Sequence, residues 1–470
     1  MKIALIFILY YYIMNSNSPY RKFEPFTYKS LEVLKKKIDE LQLEIPISLN
    51  VDILKERVKI NDEIMAPNRL AIQPMEGFDA NKDGSPGKLT NRRYIHYAEG
   101  GAGLIWFEAT SISENCRSNS HQLMLTIKNI NKFKAFVSIV REKCNDTLRS
   151  LGFEDECILI LQLNHSGRYS KIKGKKHPIR AFGNFELDSA LNVSEKEGFI
   201  ISDDELNTVE DLWIKKAELA EEVGFDGVDI KACHGYLISE LLASRNRRNS
   251  IYGGYPLGNR SKLFLNIIKK LIKKTNDFII TSRLGIYDGM PYPNGFGTEE
   301  KENQIFPAPF DLSEPLELIK NLYKLGVRMI NISAGNPHYK PQLTRPYDTP
   351  IRGAQKPDEH PLYSVNRMIK LTSMIKDRIP EDMIIIGSGY SYLRQYAGNV
   401  GAGLIQNNLV DICGFGRMSI ANPNFPKQIF QNGVIDKQKV CVTCSKCSEL
   451  MRSGNKTGCV VRDPQYQKYK

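Results

Sequence analysis

Residues 229–260 read DIKACHGYLISELLASRNRRNSIYGGYPLGNR, and this stretch says most about the fold. The apolar run Gly227 to Ile230 predicts a buried strand, and LISELLA predicts a helix soon after it. Lys231, His234 and Tyr236 fall between the two. In a β/α barrel, side chains just past a strand's carboxyl end point into the mouth where ligands bind. There a cation, an imidazole and a phenol can polarise a carbonyl and supply a proton; alternatively, they only cap a buried strand.

Apolar runs like this one recur along the chain with helical or irregular segments between them, which is typical of parallel βα units. Eight runs predict a closed (β/α)8 TIM barrel, and an open doubly wound sheet is the alternative. The runs are Leu70 to Pro74, Leu104 to Glu108, Ile158 to Leu163, Gly227 to Lys231, Phe278 to Leu284, Met329 to Ser333, Met383 to Gly387 and Val410 to Phe415.

The segments between the runs predict helices and two long insertions. Amphipathic patterns predict helices over Val209 to Val223 and over Pro315 to Leu325, and a lysine-rich helix over Leu31 to Leu41. Residues 165–200 and 287–310 contain glycine and proline, so we expect both to pass over a site as loops.

These features divide the chain into three parts. We predict an N-terminal extension over residues 1–54, a barrel over 55–430 and a cysteine-rich tail over 431–470. The apolar start, Met1 to Met14, is too short to span a bilayer and lacks a signal-peptide cleavage pattern. A weak membrane or export signal and an unstructured start both remain open for it.

Composition narrows the class of protein. With 41% hydrophobic and 25% charged residues, the chain has the composition of a soluble globular protein. The net charge of +12 is spread along the chain, so nucleic-acid binding is not supported, whereas an anionic ligand is compatible with it. Nine cysteines, four of them in the last thirty residues, do not form a secreted disulfide framework. We expect a cytoplasmic protein without stable membrane insertion.

The stretch CHGYLISELL, followed by YGGYPLGNR, resembles the Old Yellow Enzyme family of FMN-dependent ene-reductases. The resemblance implies that His234 binds the substrate carbonyl and that Tyr236 donates the proton. Lys231 stands where the family has a first histidine. A lysine there still donates a hydrogen bond, and its charge favours an oxyanion or an acidic substrate. A solvated charge at the barrel rim is its alternative role.

Further strand ends match the same family and imply a flavin site. The motif IQPMEG places Pro74 and Met75 under the flavin and Glu76 near its ring edge, where relatives have Thr or Cys. The resemblance also implies that Ala109 lies beneath the ring, that Gln162 reads the pyrimidine edge and that Arg283 lies near N1. The glycine-rich segments IIGSGY and GFGRM supply the phosphate contacts, which are Ser388, Gly389, Gly416 and Arg417.

The tail motif CVTCSKC contains Cys441, Cys444 and Cys447, and Cys459 follows after an eleven-residue spacer. Two-residue gaps let successive thiolates face one 4Fe-4S cluster, and the alternatives are a zinc site and free thiols. The tail resembles that of the iron–sulfur branch of the same family, which includes 2,4-dienoyl-CoA reductase.

Together these features predict an FMN-dependent reductase of an activated carbon–carbon double bond in an enone, enoate or enoyl thioester. The remaining residues contain no GxGxxG fingerprint, so we expect electrons from visiting NAD(P)H or from a separate donor protein. An amine dehydrogenase and a non-catalytic electron-transfer subunit are the alternatives.

Overall fold

Eight parallel strands close into a barrel in a computed structural model that describes residues 22–275, 277–301 and 307–469. Met1 to Met14 lie outside the described residues. The closure confirms the predicted TIM barrel, and the alternative of an open sheet was wrong. Each predicted run overlaps one strand: β1 (Leu70–Ile72), β2 (Leu104–Ser111), β3 (Ile158–Asn164), β4 (Gly227–Ile230), β5 (Ile279–Gly285), β6 (Met329–Ser333), β7 (Ile384–Gly387) and β8 (Ile412–Phe415).

Helices cover the outside of the barrel and also occur in the described segments before its first strand and after its last. The described helices are α1 (Leu31–Glu40), α2 (Lys88–Ala98), α3 (Ile130–Ser150), α4 (Phe185–Leu191), α5 (Asp203–Glu222), α6 (Leu237–Ala243), α7 (Leu257–Arg260), α8 (Lys262–Lys274), α9 (Ser313–Leu325), α10 (Pro341–Thr344), α11 (Pro361–Lys376), α12 (Ala397–Gln406), α13 (Arg417–Ala421), α14 (Phe425–Asn432) and α15 (Lys446–Arg452). No described helix is both long and apolar enough to cross a membrane.

Side chains alternate along the strands between the barrel interior and the helical layer, as the period of two requires. Trp106 and Ile160 pack inside the barrel, whereas their neighbours Phe107 and Leu161 face the helices. A short antiparallel pair, Val58–Lys59 with Met65–Ala66, contributes apolar side chains to the same interior cluster. This pair therefore packs against one end of the barrel interior.

The N-terminal residues that the structure describes pack onto the barrel. Leu34 and Ile38 of α1 are buried. They belong to the same hydrophobic cluster as Phe107 and Leu161, which lie between the strands and the surrounding helices. Phe26 contacts the rings of Tyr392 and Tyr396, with centroids 5.6 and 6.2 Å apart. The extension thus shares the barrel's hydrophobic core.

Three predicted helices are present, with one boundary missed. The helices α1 and α9 end near the predicted residues, and α9 stops at Gly326, whose φ of 112° favours glycine. Helix α5 begins at Asp203, six residues before the predicted start. Its first turn is fixed by reciprocal bonds between Ser202 and Glu205 rather than by apolar periodicity.

The insertion after β3 is held over the barrel by buried ion pairs. Arg168 binds Glu240 on α6 and lies 2.5 Å from Asp188 on α4. Arg180 also contacts Asp188, at 3.1 Å. Because these groups are buried and paired, they fix the loop at the edge of the mouth.

We expect Ser202→Ala to lower the free energy of unfolding by about 1 kcal/mol, because the helix α5 loses its N-cap. Urea unfolding followed by circular dichroism measures the change. Thr208→Ala, on the exposed face of the same helix, is the control and should change it by less than about 0.5 kcal/mol. Equal midpoints for Ser202→Ala and the wild type would contradict the capping role.

Candidate active site

A cavity of about 460 Å³ opens at the carboxyl ends of the strands. Its size lies in the range of pockets that bind small molecules and cofactors. It brings together most of the residues predicted for the flavin and the substrate. Lining it are Pro74, Met75, Glu76, Lys231, His234, Tyr236, Arg283, Ser388, Gly389, Gly416 and Arg417.

Two predicted flavin residues do not line this cavity. Ala109 is buried at the end of β2, and its carbonyl accepts a 3.0 Å hydrogen bond from Gln122. Gln162 is buried in β3, and its Nε2 donates to Asp229 Oδ2 over 2.6 Å. Their roles toward the flavin therefore stay predictions.

Glu76 contacts two of the three predicted catalytic residues, Tyr236 and Lys231. The Tyr236 hydroxyl donates to Glu76 Oε1 over 3.1 Å, and Lys231 Nζ lies 3.6 Å from the same oxygen. The other carboxylate oxygen, Oε2, accepts from Ser118 Oγ over 3.2 Å. Lys231 Nζ also lies 3.5 Å from the centroid of the Tyr236 ring. The phenol, ammonium and carboxylate therefore form one contiguous group at the cavity wall.

The segment that carries Glu76 is fixed from beneath by buried charges. The Gly77 amide donates to Glu108 Oε2 over 2.7 Å, and Arg93 Nη1 donates to the Met75 carbonyl over 3.1 Å. Arg93 also pairs with Glu108 at 2.7 Å. Because both partners are buried and hydrogen-bonded, the position of Glu76 is set by β1, α2 and β2 together.

Burial decides which of these groups carry a proton. Burial, and then the Glu76 carboxylate, raises the pKa of Tyr236 well above its usual range. Burial lowers the pKa of Lys231, and Glu76 counters part of that effect. Tyr236 is therefore a protonated donor near neutral pH.

His234 has an unusual backbone and a defined partner. Its φ is 66°, in the left-handed region, and its Nε2 lies 2.8 Å from Ser333 Oγ at the end of β6. Burial, followed by the charges of Arg283 and Lys231, lowers the pKa of His234 well below its usual range. A neutral imidazole has only one N–H donor. If Nε2 accepts a hydrogen bond from Ser333, Nδ1 carries the proton and can donate to a ligand.

The cavity wall offers unused hydrogen-bond donors to an anionic cofactor. Among the described residues, Arg283 Nε and Arg417 Nη1 are buried and have no hydrogen-bond partner. Leaving a buried donor unpaired costs about 1–3 kcal/mol, which a bound anion would offset. Gly389 has a φ of 97°, and a Cβ on Gly416 would come within 2.9 Å of Met75 Sδ. The donors and the narrow glycine turns fit a flavin phosphate and ring.

Other cavity residues were missed from the sequence, and among them are Tyr169, Lys171, His338, Arg345 and Arg452. These five lie on the insertion after β3, on the segment after β6 and on α15. None lies within the motifs at the strand ends, so periodicity gives no signal for them. The basic character of the first insertion was the one available hint.

The tail cysteines are neighbours but do not form a ready metal site. Burial raises the pKa of Cys441 to about 12 and that of Cys459 to about 11, and other tail thiols add to both shifts. In the part of the chain that the structure describes, no three His, Cys, Asp or Glu side chains are arranged to hold a metal ion. The sequence had predicted a cluster on Cys441, Cys444, Cys447 and Cys459. The structure gathers these thiols without bringing them to a common centre.

A parallel barrel with buried cations and a buried phenol at its mouth is compatible with a flavin-dependent oxidoreductase. Residues 57–308 match the NADH:flavin oxidoreductase / NADH oxidase family. Because this match spans more than half of the chain, the protein belongs to that family and is an oxidoreductase. The description of the family names NADH and flavin as its redox pair.

Three relatives illustrate the similarity. The chain is 29% identical over 277 residues to an NADPH dehydrogenase from Listeria welshimeri, which covers 58% of this chain and 71% of the relative. The structure of 2-naphthoyl-CoA reductase with 2-naphthoyl-CoA superposes with a TM-score of 0.69 at 17% identity, over 89% of this chain and 58% of that one. Morphinone reductase with tetrahydroNAD gives a TM-score of 0.58 at 20% identity, over 82% and 92%. The two structural likenesses concern the fold.

We expect Arg283→Met to weaken FMN binding at least about tenfold, because a buried cation beside the flavin site is lost. Titration of apoprotein with FMN, followed by flavin fluorescence, measures the dissociation constant. Arg69→Met removes an arginine that binds Glu56 and the Asp411 carbonyl instead, and should leave FMN affinity unchanged. An unchanged affinity in Arg283→Met would remove Arg283 from the flavin site.

Proposed function

We propose that the protein is an FMN-dependent reductase of activated carbon–carbon double bonds. The observation that carries the proposal is the contact of Tyr236 and Lys231 with one oxygen of Glu76 at the cavity wall. A protonated phenol beside a cation is what protonation of an enolate requires. Visiting NAD(P)H is the electron donor that the family supports, and a separate donor protein is the second possibility.

Most of the residues that would hold FMN line the cavity, whereas Ala109 and Gln162 do not. Met75 and Pro74 would lie against the ring, with Ala109 beneath it and Gln162 at its pyrimidine edge. Arg283 would face N1, and the turns at Ser388, Gly389 and Gly416 with Arg417 would receive the phosphate. When bound, FMN supplies the hydride that reduces the β-carbon of the alkene.

The chain's own side chains would manage charge and the proton. Lys231 and His234 donate hydrogen bonds to the carbonyl oxygen, on which negative charge grows during reduction. Tyr236 then delivers its proton to the α-carbon, and its raised pKa keeps that proton in place until the carbanion forms. Glu76, supported by Ser118, orients the phenol before the substrate arrives.

The charges in the cavity disfavour the amine dehydrogenase alternative. Lys231 and Arg283 lie near the position proposed for the flavin, and a cationic amine would be repelled by both. A non-catalytic electron-transfer role would leave the Tyr236 contact without a purpose. A reducible flavin that never turns over an activated alkene would support that role.

We infer that Cys441, Cys444, Cys447 and Cys459 bind a 4Fe-4S cluster in the loaded protein. The thiols lie in one neighbourhood, with Arg417 close to Cys441 and Arg345 close to Cys447. Zinc would draw all four sulfurs to about 2.3 Å from one centre, whereas a larger cluster accepts wider spacing. The cluster would supply single electrons.

The nine free thiols support a reducing compartment, and we propose the cytoplasm.

We expect Tyr236→Phe to slow flavin reoxidation by an enone by about 100-fold, because general acid catalysis contributes roughly 10²–10⁴-fold. Stopped-flow absorbance separates this step from flavin reduction by NADPH, which should change less than about twofold. Tyr292→Phe, on the exposed insertion, is the matched control. If both variants reoxidise at the wild-type rate, Tyr236 is not the proton donor.

Protein purified without oxygen should contain about four irons and four acid-labile sulfides per chain. We expect Cys447→Ser to lose both while retaining FMN, since the thiolate ligand is removed from the tail only. Cys144→Ser changes a buried barrel cysteine and should retain the full iron content. Stoichiometric zinc in the wild type would contradict the cluster.

A further inference from the structure

Four cations converge on His338, which follows strand β6. Burial, and then the charges of Arg452, Lys231, Arg345 and Lys171, lower the pKa of His338 to about 3. These cations come from α15, the end of β4, the segment after α10 and the insertion after β3. All four side chains line the same cavity. Side chains from four separate parts of the chain thus bring positive charge to one cavity.

Acidic partners do not balance these charges within the protein. Lys231 has Glu76 at 3.6 Å. Arg345 contacts Ser445 Oγ at 3.3 Å, and Arg452 donates to the Pro337 carbonyl over 2.7 Å. Among the described residues, no carboxylate pairs with Arg345, Arg452 or Lys171. Like charges held together without a counter-charge raise the energy of the protein, and a bound anion relieves that cost.

The charged groups near each of these cations differ. Burial, and then the charge of Arg417, lowers the pKa of Arg345 to about 10, and Cys447 opposes that shift. Arg345 therefore belongs with the proposed phosphate and cluster sites. Burial, and then the charge of Lys176, lowers the pKa of Lys171, and Glu76 opposes that shift. Burial lowers the pKa of Arg452, and the phenols of Tyr347 and Tyr169 oppose it.

Tyr169 leads from these cations to the proposed catalytic group. Its ring packs edge-on against that of Tyr236, with centroids 4.9 Å apart, and stacks on His338 at 4.3 Å. Lys171 is two residues from Tyr169 in the chain, and Arg452 donates to the carbonyl of Pro337, which precedes His338. Both cations are therefore near the rings that connect to the proposed proton donor.

We propose that Lys171 and Arg452 form a binding site for an anionic group, a carboxylate or a phosphate, on the molecule that enters the cavity. This inference rests on the proposed reductase function and names a property of its ligand. The anion belongs either to the alkene or to the nicotinamide donor, because both must reach the same flavin. Lys171 and Arg452 act in binding and not in the chemical step.

Matched substrates that differ only in charge test the alkene as the source. 4-Oxo-2-pentenoate and its methyl ester carry the same activated double bond. We expect Lys171→Met and Arg452→Met each to raise KM for the acid roughly tenfold with kcat unchanged, as loss of a charged hydrogen bond predicts. The ester should change by less than about twofold. Lys171→Arg and Arg452→Lys should restore most of the discrimination.

Lys175→Met is the matched control. Lys175 lies on the same short strand pair as Lys171 but is exposed and does not line the cavity. We expect no change for either substrate. If Lys175→Met raises KM for the acid as much as Lys171→Met does, the effect comes from the overall positive charge of the surface. That result would overturn the proposed site.

The reductive half-reaction tests the nicotinamide as the source. If the anion is the extra phosphate of NADPH, both methionine variants should bind NADPH roughly tenfold more weakly than the wild type does. Their affinity for NADH should change by less than about twofold. Equal losses on NADPH and NADH, together with equal losses on acid and ester, would overturn the proposal.

A binding measurement separates this inference from the proposed reductase function. Calorimetric titration of the oxidised holoenzyme with the saturated acid 4-oxopentanoate and its methyl ester requires no turnover. We expect the acid to bind at least about tenfold more tightly in the wild type, and the preference to disappear in Lys171→Met. If the acid binds more tightly than the ester but no alkene is reduced, the anion site is supported and the reductase function is contradicted. If the wild type binds acid and ester equally, and the methionine variants affect NADPH and NADH equally, there is no anion site. That conclusion holds whether or not the protein reduces alkenes.

Discussion

Pairing of β8 with β1, with Cys413 opposite Leu70, closes the sheet. Because the closed strands are parallel, all their carboxyl ends open on one side. Tyr236 and Glu76 lie 160 positions apart in the chain and still form a hydrogen bond there. Each proposed function of the protein depends on this convergence, since no single segment supplies both a proton donor and a flavin site.

Charge is the second property that organises the mouth. Glu76 is the single acidic side chain among the described residues that line the cavity, and it already contacts Lys231. Arg283 and Arg417 keep buried donors without partners. Water-excluded cations of this kind act strongly on anions, so the cavity suits a flavin phosphate and an electron-rich reaction intermediate. It suits a cationic substrate poorly.

Motifs at strand ends could be predicted because the barrel fixes where they point. Glu76, Tyr236 and Arg417 line the predicted cavity for this reason. Lys171 and Arg452 could not be predicted, because an irregular insertion and a tail helix reach the mouth only through tertiary packing. The helix α5 started earlier than its apolar pattern because side-chain capping set its boundary. Spacing indicated the tail cysteines as a group but did not determine the distances between their sulfurs.

The most direct test mixes anaerobically reduced holoenzyme with one equivalent of methyl 4-oxo-2-pentenoate and quantifies the product and the flavin spectrum together. A flavin that delivers hydride in this cavity returns to its oxidised spectrum and yields about one saturated ketoester per reoxidised flavin. A flavin that stays reduced while the alkene remains unchanged would contradict the proposed alkene reduction, because the electrons would then have a different acceptor.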